Sequence, residues 1–96
     1  MIEIRYTETF SDWLQHLHDR VGKAKILVRI DRLRIGLFGD TKPVGNGVLE
    51  LRIDFGPGYR IYYTKQNKEL IILLAGGDKN SQNRDIHKAQ DLVKHF

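Results

Sequence analysis

Arg52 and Arg60 stand on successive strand-like segments, Tyr62 lies two residues beyond the second arginine, and Lys79 follows a glycine pair downstream. Guanidinium groups and a phenol sharing one surface make an anion site. Phosphate is the leading candidate, because a guanidinium offers planar, paired donors to its oxygens. Lys79 adds a point charge where a strand hands over to a helix. There Gly76 and Gly77 let the backbone approach a ligand, and a helix start presents free N–H groups to an anion. Tyr62 can donate a proton to a leaving oxygen or stack on a base. Each residue also has a plainer reading. Arg52 and Arg60 can be surface charges paired with Glu50 or Asp54, Lys79 a solvated turn lysine, and Tyr62 an aromatic filling a sheet groove.

Among the four histidines, His87 is a minor acid/base candidate, since an unperturbed imidazole titrates near neutral pH. His16 and His18 are two apart on a helix and do not face together. His87 and His95 are too far apart to hold one ion, and there is neither an HExxH motif nor a cysteine, so no metal or cofactor site is expected. Lys25, Arg29 and Arg32 recur at i, i+4 and i+7 and form a basic stripe. Such a stripe can rest on nucleic-acid phosphates or an acidic protein segment, or simply face solvent.

These residues need a scaffold, and hydrophobic periodicity supplies one. In residues 48–54 Leu49, Leu51 and Ile53 alternate with Glu50, Arg52 and Asp54; in residues 59–64 Tyr59, Ile61 and Tyr63 alternate with Arg60, Tyr62 and Thr64. Period two is the mark of half-buried strands, and Gly56-Pro57-Gly58 between them is turn chemistry. Residues 69–75 form an apolar run, the pattern of a strand covered on both faces. Two registers match the apolar faces of the first two strands. With Ile53 opposite Tyr59, Arg52 meets Arg60 and Glu50 meets Tyr62. With Ile53 opposite Ile61, Arg52 meets Tyr62 and Asp54 meets Arg60. Both place Arg52, Arg60 and Tyr62 on one face, leaving Tyr59 and Tyr63 to the core.

Before this meander, residues 2–6 alternate as a short strand, and Thr7 or Thr9 can cap a helix carrying Phe10, Trp13, Leu14, Leu17 and Val21 on one stripe, with Gly22 as its stop. A second helix spans about residues 23–37, turning Ile26, Leu27, Ile30, Leu33 and Leu37 inward, and the short join makes a helical hairpin. Residues 40–47 read as a mobile loop. Gly76-Gly77 closes the last strand, and Asn80 or Ser81 caps a final helix with Ile86, Ala89, Leu92, Val93 and Phe96 as its apolar set. The expected order is β-α-α-β-β-β-α. That is an α+β fold with a small, mainly antiparallel sheet packed against a helical hairpin, followed by a C-terminal helix.

Ninety-six residues at 41% hydrophobic content support one core, so residues 1–96 are expected to be a single domain. A formal charge of +4 favours polyanionic or acidic partners without demanding them. The absence of cysteine rules out disulfides and thiolate zinc sites. Neither a membrane-length apolar run nor a signal-peptide pattern is seen, and the cytoplasm is the expected compartment.

The segments GVLELRIDFGPGYRIYY and LLAGGDKNSQNRDIHKA carry a resemblance. Their ELR, GPGYR and GGDK-x-x-Q-x-x-DI pieces, in this order and spacing, resemble the RelE/ParE toxin superfamily, nearest its phage Gp49-like and HigB-like "addiction module killer" branch. The resemblance extends over essentially the whole chain. It implies a RelE-like fold and a toxin of a type II toxin–antitoxin pair, with a cognate antitoxin as partner. It further implies a metal-independent endonuclease acting on mRNA in the ribosome. On that basis Arg52, Arg60 and Lys79 would hold the scissile phosphate, with Tyr62 and His87 as weaker proton-transfer candidates and Lys25, Arg29 and Arg32 touching RNA or antitoxin. The chain departs from several relatives in ending on an amphipathic helix, without a C-terminal strand bearing a Tyr or His acid, which leaves the acid and base open. DNA gyrase, poisoned without RNA cleavage as by ParE-like members, is the alternative target, and a degenerate RNA- or antitoxin-binding module is the third reading.

Overall fold

The computed structural model describes residues 1–96. Its elements are β1 (Glu3–Tyr6), α1 (Glu8–Gln15), α2 (Arg20–Arg34), β2 (Thr41–Gly45), β3 (Val48–Ile53), β4 (Tyr59–Asn67), β5 (Leu70–Asp78), a short 3-10 turn (Lys79–Ser81) and α3 (Gln82–Val93). The five strands form one sheet in the order β1-β5-β4-β3-β2, with β1 parallel to β5 and every other pair antiparallel. This is the expected α+β fold with one strand more than the sequence pattern gave. Ile53 lies opposite Tyr59, Arg52 opposite Arg60 and Glu50 opposite Tyr62, which settles the register.

Helices cover both faces of the sheet. On one side α1 and α2 bury Phe10, Leu14, Ile26, Ile30 and Leu33 against the inward residues of β3, β4 and β5. On the other side α3 lays Ala89, with Ile86 and Val93 beside it, over Val48, Tyr62, Ile72 and Leu74. The β5 run therefore has a neighbour on both faces, as its continuous apolar pattern requires. A bulge in β5 helps: Tyr62 pairs with Ala75 and Tyr63 with Leu73, so Leu74 is the extra residue. Because α3 sits on the nominally polar face, Glu50 and Tyr62 are fully buried. Tyr62 shares a face with the arginines as expected, but it is an interior residue.

The first helix cap is one of the two expected, and several later boundaries differ from expectation. Thr7 caps α1, its hydroxyl accepting from Phe10 N–H at 3.0 Å and donating to the Leu74 carbonyl at 2.7 Å. That helix ends at Gln15 rather than near Val21. Asp19 then starts α2 by accepting from Gly22 N–H at 2.9 Å, so Gly22 opens the second helix instead of closing the first. A side chain at Gly22 would strike the Tyr59 ring, which explains the glycine. At its far end α2 stops at Arg34. Gly36, at φ +81°, donates to Leu33, and Leu37 N–H returns to the Arg32 carbonyl at 2.9 Å, a Schellman closure. Leu37 is thereby thrown outside the helix and exposed, and Leu27 is 40% exposed. The supposed loop at 40–47 contains β2, which pairs with β3. Phe96 lies past the end of α3 and is exposed.

The Asp19 cap also meets the sheet, accepting the Tyr59 hydroxyl at 2.7 Å. The Gly22 N–H and this phenol hold the Asp19 carboxyl below the usual aspartate range. Burial, and then the hydrogen bond to Asp19 and its charge, push the Tyr59 phenol up to about 12. A group whose folded value lies above its unfolded value of about 10 stabilises fully below that pH, and the contribution fades as pH rises through the folded value. The melting temperature of the protein is therefore expected to fall between pH 10 and about 12. Tyr59→Phe should start lower at neutral pH, by about 1–3 kcal/mol for a lost bond to a charged acceptor, yet lose less across that alkaline window. Parallel pH profiles for the two proteins would rule the linkage out.

Candidate functional site

Arg52 leaves the end of β3 and Arg60 the start of β4, and the antiparallel register sets them side by side. The turn between them is Phe55-Gly56-Pro57-Gly58, closed by Gly58 N–H to the Phe55 carbonyl at 3.0 Å. Gly58 adopts φ +78°, a left-handed conformation that disfavours any side chain. A Cβ there would also come within 3.4 Å of an Arg60 guanidinium nitrogen and 3.5 Å of Lys79 Cβ. From β5 the chain passes into the 3-10 turn, where Asp78 accepts the N–H groups of Asn80 and Ser81 at 2.9 and 3.2 Å and places Lys79. Arg52, Arg60 and Lys79 line one cleft of about 430 Å³, together with Asp40, Asp54 and the glycine turn. Three cations from three separate parts of the chain meet there.

The cations are not equivalent. Arg52 is bound by Asp40, whose Oδ1 accepts from Nε at 3.2 Å and Nη2 at 2.9 Å. That hydrogen bond and charge raise the Arg52 pKa further. Both side chains are substantially exposed, so the pair is solvent-screened and exchangeable. Arg60 is the buried one, its side chain only 12% exposed. Its Nη1 donates to the Gly58 and Tyr59 carbonyls at 3.1 and 3.2 Å, which fixes the plane of the guanidinium. Lys79 is exposed at the cleft's edge. The result is one guanidinium fixed by backbone carbonyls, one held by a displaceable carboxylate, and one exposed ammonium. That set can grip a phosphodiester and stabilise added negative charge on it.

A family model described as phage-derived protein Gp49-like (DUF891) matches residues 12–94. The chain belongs to this family. The Gp49-like protein is 52% identical over 93 residues to an uncharacterized protein of Haemophilus influenzae, the match covering 97% of this chain and 94% of that one. Its fold is that of the E. coli toxin RelE: a RelE mutant in the free state superposes with a TM-score of 0.62 at 16% identity, covering 99% of this chain and 97% of the other. The expected membership of the RelE/ParE toxin superfamily is confirmed by the family match and the RelE fold.

The other candidate residues of the Gp49-like protein fall outside the cleft. Tyr62 is 0% exposed and donates to Glu50 Oε2 at 3.1 Å. Burial, with the Glu50 charge next, drives its pKa far above the ordinary phenol value. It can neither stack on a base nor release a proton to one, and its proton-transfer candidacy ends there. His87 is exposed on α3 and is not among the cleft residues. Lys25, Arg29 and Arg32 do share a groove, of about 490 Å³, between α2 and the end of β3. Arg29 is tied inward, donating to the Arg52 carbonyl at 2.8 Å and the Phe38 carbonyl at 3.4 Å. Burial, and then Arg32, lower its pKa. Lys25 holds its ammonium 5.0 Å from the centre of the Phe55 ring. The stripe is thus partly a brace for the cleft, since Arg29 secures the backbone of Arg52 itself.

Of the two acidic residues of the cleft, Asp54 was foreseen only as a salt-bridge partner of the arginines and Asp40 was missed. Asp54 lines both the arginine cleft and the α2 groove, and Asp40 partners Arg52. Asp40 lies in a stretch that reads as loop, with no periodic signal to point it at Arg52. No three His, Asp or Glu side chains converge in a metal-holding group. No helix is long and apolar enough to cross a membrane.

Proposed function

We propose that this protein is the toxin of a type II pair that acts in the cytoplasm as a ribosome-dependent, metal-independent mRNA endonuclease. The observation that carries the reading is the convergence of Arg52, Arg60 and Lys79 in one open cleft of a RelE fold. The RNA 2′-hydroxyl attacks the adjacent phosphorus, and the 5′-oxygen leaves. Arg60, already oriented, takes the non-bridging oxygens where charge accumulates. Arg52 exchanges Asp40 for the phosphate, and Lys79 approaches from the 3-10 turn as a third cation. With Tyr62 interior and His87 elsewhere, Asp40 and Asp54 are the proton acceptors within the cleft and Lys79 the proton donor. The cleft lining holds no histidine, the side chain best suited to move protons at neutral pH. This is the reason to expect dependence on the ribosome, which would orient the 2′-hydroxyl and supply the missing order.

The same lack of a neutral acid–base pair favours, as a second reading, inhibition of DNA gyrase without RNA cleavage. A third reading is a module that only binds RNA or its antitoxin. Induction in cells, followed by mapping mRNA 5′ ends and monitoring plasmid supercoiling, separates them. New ends inside translated frames are expected, and naked RNA at matched concentration should stay largely intact. Arrested supercoiling with intact mRNA would replace the nuclease by the gyrase reading, and neither effect would leave the binding module. The cognate antitoxin is assigned to the α2 groove, where exposed Val21 and Val28 stand among Lys25, Arg29 and Arg32. An amphipathic acidic segment matches that surface. Toxicity that persists on co-expression with the product of either neighbouring gene would count against the assignment.

A further inference from the structure

Glu50 is a carboxylate in the dry layer between the sheet and α3, 0% exposed. Its Oε2 is well satisfied, accepting from Gln82 Nε2 at 2.7 Å and from the Tyr62 hydroxyl at 3.1 Å. Its Oε1 accepts nothing, and the one other buried side-chain polar atom without a partner is Nε of Arg60. The two face each other at 4.0 Å. Leaving either group unpaired away from water is costly, and an ionised carboxylate needs a counter-charge there. The second cation near Oε1, Lys42 Nζ, is also at 4.0 Å but is about half exposed, so solvent screens it. Burial leaves the Arg60 guanidinium as the effective counter-charge.

We propose that Glu50 is the positioning residue for Arg60: its Oε1 takes the Nε–H and, with the two carbonyls on Nη1, locks the guanidinium so that Nη2 alone is presented to the cleft. Three of the guanidinium's directions are then assigned. Nη1 is spent on Gly58 and Tyr59, Nε lies 4.0 Å from Glu50 Oε1 with no other partner, and Nη2 is neither buried without a partner nor bonded within the protein. Glu50 itself does not line the cleft, so it acts through Arg60 and not on a ligand. The one part that rests on the endonuclease reading is that the ligand presented to Nη2 is an RNA phosphate.

Two readouts test this, and the first needs no activity. In ¹⁵N–¹H spectra the Arg60 Nε–H resonance, assigned by its loss in Arg60→Lys, should exchange with solvent at least tenfold more slowly than that of exposed Arg84. In Glu50→Gln, which keeps the shape and removes the charge, that protection should drop at least tenfold. Lys42→Met should leave it unchanged. An Arg60 Nε–H that exchanges as fast as Arg84 in the parent, or one unaltered in Glu50→Gln, overturns the positioning role; the parent measurement decides even if the variant does not fold. The second readout is binding of a 2′-O-methyl RNA tetranucleotide, which cannot be cleaved. Glu50→Gln should weaken it about as much as Arg60→Lys, and the double variant no further. Weakening that simply multiplies would mean that Glu50 acts apart from Arg60, and would overturn the proposal. A parent that protects Arg60 Nε–H but ignores the oligonucleotide would instead remove the RNA reading and leave Glu50 as the arginine's anchor.

Discussion

Arg60→Ala is expected to abolish most toxicity, and on the endonuclease proposal cleavage should fall by about 10²–10³-fold, the usual effect of removing one oriented donor to transition-state charge. The sequence places Arg60 on a polar strand face, where truncation would leave stability untouched. The structure changes that expectation, because Arg60 is only 12% exposed and faces the buried Glu50. Taking away the arginine strands a carboxylate oxygen that already lacks a partner. A loss of about 1–3 kcal/mol should accompany the loss of function. Folding and chemistry must therefore be separated by a second change. In the Arg60→Ala, Glu50→Gln double variant the stranded charge is gone, so the thermal midpoint should recover towards that of the parent while toxicity does not return. Arg60→Lys should melt within a few degrees of the parent and still be impaired, since an ammonium cannot hold two carbonyls, a carboxylate and a phosphate in one plane. The measurements are a growth assay, a thermal melt and 5′-end mapping for each variant. An Arg60→Ala protein that kills as well as the parent would show that this cleft is not the site.

What the sequence made legible follows from which forces are local. Period-two alternation in β3 and β4 gave the strands, their shared face and a choice of two registers; the pairing of Ile53 with Tyr59 selected one of them. Arg52, Arg60 and Lys79 came together as expected because the first two ride on that register and the third on the end of the neighbouring strand. Glu50 and Tyr62 were misplaced for a tertiary reason. Alternation assigns them to the polar face, but α3 comes from outside the local pattern and covers it. A signal for this existed. The hairpin occupies one face of the sheet, so the stripe of Ile86, Ala89 and Val93 on the final helix needs a second apolar surface, and Val48, Ile72 and Leu74 supply it. β2 was missed because Thr41-Lys42-Pro43-Val44-Gly45 has turn residues and little alternation, and its strand geometry comes from pairing with β3. Asp19 was missed as the α2 cap because Gly22, three residues on, reads as a stop.

Leu51→Ala should be strongly destabilising, and the position of Leu37 makes the comparison diagnostic. Leu51 is 0% exposed, opposite Ile61 on β4, and belongs to the cluster that receives Ile26, Ile30 and Leu33 from α2. Strands flank it on both sides, Thr41 of β2 being its other neighbour, so the backbone has little freedom to collapse into the space left. A cost of about 2–5 kcal/mol follows from lost burial and the residual cavity. In a domain of this size that lowers the melting temperature by roughly 10–30 °C. Leu37, by contrast, belongs to the inward stripe only if α2 runs on past Arg34. The closure at Gly36 turns it out, and it is 57% exposed, so Leu37→Ala should stay within about 0.5 kcal/mol of the parent. Both variants keep Arg52, Arg60 and Lys79. Below its lowered melting temperature Leu51→Ala should keep the parent's toxicity, because its defect lies in the population folded and not in the cleft. Denaturant melts on the pair decide the matter. Equal losses, or a larger loss for Leu37→Ala, would mean that α2 extends to residue 37 and faces the sheet differently, and the bracing of Arg52 by Arg29 would fall with it.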